Sequence, residues 1–162
     1  MFSYCNNPNY SVSELVKANV ENCIRIHSTT GGSTNLMMHI VSAFIHAGLD
    51  FSIWDYDRIR RATPVPDLFN YSLTQGRSIF ELAQQCCSGQ IRGMETVMYE
   101  LTRNDVPMEL TAPTATGTTW HTRLADTTNL SADGVTNNPI ILSKPRRAFS
   151  GVTSTFGQES TT

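Results

Sequence analysis

Thr30-Gly31-Gly32-Ser33-Thr34-Asn35-Leu36-Met37-Met38-His39-Ile40-Val41-Ser42-Ala43-Phe44-Ile45-His46-Ala47-Gly48 is the stretch on which the reading of this chain turns. Its small residues and paired glycines interrupt one helix before a second begins near Ser33 or Thr34. That second helix, the most apolar segment of the chain, is predicted to cover Thr34 to His46 and to stop at Gly48, a natural left-handed C-cap. Glycines let the backbone approach a ligand closely, and a helix starting just after them offers amides and a positive dipole end to a phosphate or carboxylate. Ser33, Thr34 and Asn35 add hydroxyl and amide donors. Gly31, Gly32, Ser33, Thr34 and Asn35 are therefore the candidate substrate-binding residues, against the plainer reading of a tight helix-to-helix turn. The stretch lacks the lysine of a phosphate-binding Walker loop, and Asn35 stands where a nucleophile elbow needs glycine.

Upstream, Ser11-Val12-Ser13-Glu14 has a cap hydroxyl and a glutamate three residues on, which predicts a helix over about 12–27. Val16, Val20, Cys23, Ile24 and Ile26 give it an apolar stripe, with Lys17, Glu21 and Arg25 outside. Downstream, Leu49-Asp50-Phe51-Ser52-Ile53 alternates as a short strand does, and Asp55 to Arg61 reads as a brief helix with acids first and bases last. Thr63-Pro64-Val65-Pro66 ends it. A second capping box at Ser78 opens a helix through Cys86-Cys87, and after Gly89 and Gly93 a further helix over Met94 to Arg103 is predicted to turn Met94, Val97, Met98 and Leu101 inward. Asn104 and Pro107 close it. Eight of the eighteen residues from Thr111 to Thr128 are threonine, which favours extended or capping backbone, with a short helix near Thr118 to Asp126. Ile140-Ile141-Leu142 reads as a strand, and the small polar end as a disordered tail.

The 162 residues suit one globular unit or a piece of something larger. Charged residues make up 16%, well under the roughly 25% of an average soluble domain. Twelve bases against fourteen acids give a net charge of -2, and the only lysines are Lys17 and Lys144. With no polybasic footprint, neither nucleic acid nor an anionic membrane is an expected partner. The longest apolar stretch, Leu36 to Ala47, is too short to span a bilayer and no basic-then-apolar leader opens the chain, so a cytoplasmic location is expected.

Other chemistry-bearing residues carry weaker patterns. His39 and His46 are seven apart, roughly 10 Å along a helix, too far to share one metal with bonds near 2 Å. Cys86 and Cys87 are adjacent, Cys5 and Cys23 isolated, and none has zinc or cluster spacing, so buried free thiols are expected. His121, beside Trp120 and Arg123, fits a helix surface better than a polar pocket. Lys144, Arg146 and Arg147 form a small basic cluster. Asp55 and Asp57, two apart, face different ways on a helix and do not read as a metal pair.

The run Thr30 to Asn35, then Met38-His39-Ile40, Ala47-Gly48 and Asp55-Tyr56-Asp57-Arg58-Ile59, resembles the family of dihydroxy-acid and phosphogluconate dehydratases. Val65-Pro66-Asp67-Leu68, Gly93-Met94-Glu95, Ala112 to Thr119 and Asn138-Pro139-Ile140-Ile141 follow in that family's order, so the resemblance covers about residues 12–151. It implies an α/β, helix-rich fold, as a partial N-terminal domain: residues 1–128 the late part of that domain, 129–151 a linker and first strand towards a β-barrel domain, 152–162 the tail. Members are several times longer. They hold an iron-sulfur cluster and magnesium in the first domain, take a serine base from the barrel, form homodimers, and convert 2,3-dihydroxy acids or sugar acids to 2-keto acids. The cluster cysteines, magnesium ligands and serine have no matching positions here, so no catalytic or metal-binding residue is assigned. What carries over is the loop Gly31 to Asn35, which in the family lies on the active-site side. The expectation is a fragment of a hydro-lyase, with the polar ending a truncated gene would give. It should be inactive alone, and self-associate through exposed core faces such as Ile40 and Phe44. The alternative is a small non-enzymatic helical module that binds an anion at the same loop.

Overall fold

Ser11 accepts the Glu14 amide at 3.2 Å and starts α1, Val12–Ala18. The reciprocal half of the predicted box is replaced: the Glu14 carboxylate pairs with Lys17 at 2.9 Å. The computed structural model describes residues 11–66, 93–125 and 148–149. Over these, α1 is followed by α2 (Val20–Thr29), α3 (Thr34–His46), α4 (Ile53–Arg61), β1 (Val65–Pro66), α5 (Met94–Arg103), α6 (Trp120–Arg123) and β2 (Ala148–Phe149). The helix-rich character is as expected. The described residues carry no parallel sheet to support the α/β label; their sheet is one antiparallel pairing, Val65 opposite Phe149 and Pro66 opposite Ala148.

The single helix predicted over 12–27 is two helices, broken at Asn19. Asn19 donates from Nδ2 to the Leu15 carbonyl at 2.9 Å and the Pro113 carbonyl at 3.0 Å, while its Oδ1 accepts from Trp120 Nε1 at 2.8 Å. One turn on, the buried Asn22 grips the Glu109 backbone twice, receiving its amide at 2.7 Å and donating to its carbonyl at 2.9 Å. The two amides tie α2 to a segment some ninety residues away.

The strand predicted over Leu49–Ile53 does not form. Leu49, Phe51 and Ile53 do pack against the core and Phe51 meets Phe44 edge-on at 5.0 Å, but among the described residues no strand pairs with them. Instead Ser52 caps α4 in a complete capping box with Asp55, so that helix starts at Ile53. At the other end of α3 the predicted stop holds. Gly48 takes φ 88°, its amide reaches the Ile45 carbonyl, and the Leu49 amide reaches Phe44, the paired bonds of a Schellman ending.

α2 lies between two apolar clusters. Ile24 joins Met37, Ile40, Val41 and Phe44 of α3 and Tyr56 and Ile59 of α4, with Val16, Val20 and Cys23 at the margin. Ile26, two residues from Ile24, faces the other cluster, with Met98, Leu124, Met108, Leu110 and Trp120. The predicted stripe thus serves both. Ile40 and Phe44, expected at an exposed core face, are buried; the exposed apolar residues of α3 are Leu36, Met38 and Ile45. Val97, Met98 and Leu101 of α5 point inward as predicted, whereas Met94 is exposed. Helical side chains lean towards the N-terminus, and Met94 as first residue leans past the end of its helix.

Candidate functional site

The loop between α2 and α3 begins as a helix ending. Thr30 donates its amide to Ile26 at 2.9 Å, Gly31 turns left-handed at φ 67°, and the Gly32 amide returns to the His27 carbonyl at 2.8 Å. Ser33 then caps α3: its hydroxyl accepts from the Asn35 amide at 3.2 Å and its carbonyl from Leu36 at 3.0 Å. Gly31, Ser33, Thr34 and Asn35 are exposed, Gly32 half-buried. The first turn of this thirteen-residue helix carries no acid, so the positive end of its dipole is not neutralised there. The sequence reading is thus correct in placing a glycine turn against a helix start, and the five residues lie together.

Beneath the loop stands a residue that the sequence reading did not single out. His27 is buried, with Nε2 3.1 Å from the Ser33 carbonyl and Nδ1 against the Tyr56 hydroxyl of α4. A carbonyl only accepts, so Nε2 carries the proton and Nδ1 accepts from the phenol: a neutral imidazole in one tautomer. Burial pushes the His27 pKa down, the Ser33 contact opposing it in part. Burial also pushes the Tyr56 phenol up, so it stays a donor. The one clue in the sequence is a histidine on the α2 stripe just before the glycines.

The remaining candidates are committed elsewhere. Asp55 is held below its ordinary carboxyl range by the Ser52 hydroxyl and amide. Burial raises the Asp57 carboxyl, but hydrogen bonds from Arg61 and Arg60 outweigh it and hold it low. Arg60 is itself buried, with Nε 3.0 Å from Asp57. His39, His46 and His121 are exposed on helices. Arg123 pairs with Glu95 of α5, and Trp120 is half-buried. Cys23 is a free thiol pushed up by burial, unlike a metal-binding thiolate. Cys5, Cys86, Cys87, Lys144, Arg146, Arg147, the helix from Ser78, the strand at 140–142 and the tail lie outside the described residues. Among the described residues no three His, Cys, Asp or Glu side chains gather to hold a metal, so the donor set there does not fit an iron-sulfur cluster or magnesium. No helix there is long and apolar enough to cross a membrane.

Residues 8–123 match the model of the dihydroxy-acid/6-phosphogluconate dehydratase N-terminal family. Among curated proteins, the dihydroxy-acid dehydratase of Polaromonas sp. (strain JS666) is 39% identical over 51 residues, 32% of this chain and 9% of the relative. That of Natronomonas pharaonis is 40% identical over 50 residues, 31% of this chain and 8% of the relative. That of Burkholderia mallei (strain SAVP1) is 39% identical over 51 residues, 32% and 9% of the two chains. The matched stretch therefore spans less than a tenth of each of these relatives. No solved structure matches the chain.

Proposed function

The chain belongs to the dihydroxy-acid/6-phosphogluconate dehydratase N-terminal family, and on that premise we propose that it is the acid-binding portion of a cytoplasmic hydro-lyase. The observation that carries this is the loop itself: exposed Ser33, Thr34 and Asn35, set by a left-handed glycine at the start of a long helix whose first turn holds no acid. A carboxylate placed there meets hydroxyl, carboxamide and dipole together. The substrate class is a branched-chain 2,3-dihydroxy acid or a sugar acid. Elimination of the 3-hydroxyl as water needs an electrophile on the leaving oxygen and a base for the 2-proton. In this reading the chain alone binds and orients the acid and is inactive.

Titrating the isotope-labelled 162-residue chain with 2,3-dihydroxy-3-methylbutanoate, and separately with gluconate, tests the reading. Amide shifts confined to residues 31–37 are the expected result, with no 2-keto acid formed. Saturable shifts elsewhere, or none at millimolar acid, would overturn it. A second reading draws on the burial of Ile40 and Phe44: a unit that covers its own core is also suited to be a stand-alone module binding a simple anion. Inorganic phosphate bound as tightly as either hydroxy acid would favour that module.

A further inference from the structure

The two glycines of the loop are required for different reasons, and the second reason is His27. Gly31 has φ 67°, a conformation costly to any residue with a Cβ, whereas Gly32 is not among the left-handed residues. A Cβ built on Gly32 would stand 2.9 Å from His27 Cγ and closer still to Cδ2 and Nε2, far inside contact. The ring has nowhere to go. It is 5% exposed, lies edge-on to Tyr56 at 5.9 Å between centroids, and is bonded at both nitrogens. The carbonyl that receives Nε2–H is that of Ser33, the same oxygen that accepts the Leu36 amide at the start of α3.

We propose that His27 is the positioning residue of the Gly31–Asn35 loop: a neutral imidazole, bonded to Tyr56 and Ser33 and lying under Gly32, that sets the backbone presenting Ser33, Thr34 and Asn35. The chemistry needs a rigid planar group with a donor at one end and an acceptor at the other, which imidazole supplies. An apolar side chain of similar size would fill the space but remove the imidazole bonds to the Tyr56 hydroxyl and the Ser33 carbonyl, leaving that carbonyl held only by the amides at the start of α3. The consequence for substrate rests on the acid-binding reading above; the coupling of His27 to the loop does not.

Three measurements on the full 162-residue chain test it. Imidazole nitrogen spectra should show the Nε2–H tautomer at His27; the Nδ1–H tautomer would overturn the proposal. In denaturation, Gly32→Ala should lower the folded-to-unfolded ratio by about tenfold or more, or abolish folding, because overpacking a fixed site is costly. The same change made on top of His27→Ala should cost little, since the ring that it meets is gone. An equal loss in both backgrounds would overturn the proposal. His27→Gln should keep the amide shifts of residues 32–36 near wild type, and His27→Leu should move them; wild-type shifts in His27→Leu would overturn it as well. Failure of the acids to bind while these couplings hold counts against the acid-binding reading alone.

Discussion

Because His27 is held neutral between a phenol and a carbonyl, acid acts on the fold through it. Its folded pKa lies below the ordinary value of about 6.5, so in that window the unfolded chain takes up more protons than the native one. Stability is then fully present above pH ~6.5 and falls as pH drops towards the lowered pKa. Asp57 and Asp55, also lowered, add a second loss of the same sign at more acid pH, below their ordinary value of 3.8. Urea midpoints measured from pH 8 to pH 2 should show a plateau, a first fall below pH ~6.5 and a second below 3.8. In His27→Gln the first fall should vanish, and a curve unchanged by that substitution would contradict the assignment. Asp105 offers an opposite test. It sits at φ 62° after α5, where the Asp105 and Val106 amides bond to Thr102 and Leu101 at 3.2 and 3.0 Å, a Schellman ending without its usual glycine. Asp105→Gly should raise stability by about 0.5–1 kcal/mol, read as a higher denaturation midpoint with unchanged slope.

At the scale of elements, ends and joints matter more than helix interiors. Ser52→Ala removes the acceptor of the Asp55 amide and one half of the α4 capping box, and should cost about 1 kcal/mol. Asn22→Ala should cost more, about 2–4 kcal/mol, because it strips both polar groups of Glu109 from a buried partner. The denaturation midpoint should drop further for Asn22→Ala than for Ser52→Ala; the reverse order would mean that the 107–114 segment is not held by α2. This contrast also explains what was legible in the sequence. α3 and most of α5 follow from apolar spacing, and Gly48 and Asn104 from local backbone chemistry, all within a few residues. The break at Asn19 was not legible, since Pro113 and Trp120 decide it from 94 and 101 residues away. The apolar residues Leu49, Phe51 and Ile53 mark what packs against the core and say nothing about a partner strand. In the site, the glycine turn is local and readable. His27 depends on Tyr56, 29 residues on, and on a close approach that only the folded backbone creates.

For the whole molecule, the question is what the apolar arc of α3 does beyond the core. At 100° per residue its apolar positions span roughly 200°, about twice the arc that a surface helix needs to face one core. Met37, Ile40, Val41 and Phe44 occupy the centre and are buried. Leu36 is left on one flank, 48% exposed, with Met38 and Ile45 on the other, 60% and 54% exposed. Met38 and Ile45 are seven apart and so lie on one line along the helix. Among the described residues the side chains of Leu36, Met38 and Ile45 belong to no core cluster, and in water their exposed surface favours association by removing apolar area from solvent. The chain alone should therefore self-associate through the flank of Met38 and Ile45, giving sedimentation coefficients that rise with concentration. Met38→Lys combined with Ile45→Lys should return it to a monomer with an unchanged helical circular dichroism signal, because neither side chain is buried. A wild-type chain that stays monomeric at high micromolar concentration would show that the exposed flank is too small to drive assembly. A double variant that still associates would move the contact elsewhere, with Trp54, 78% exposed on α4, the next surface to test.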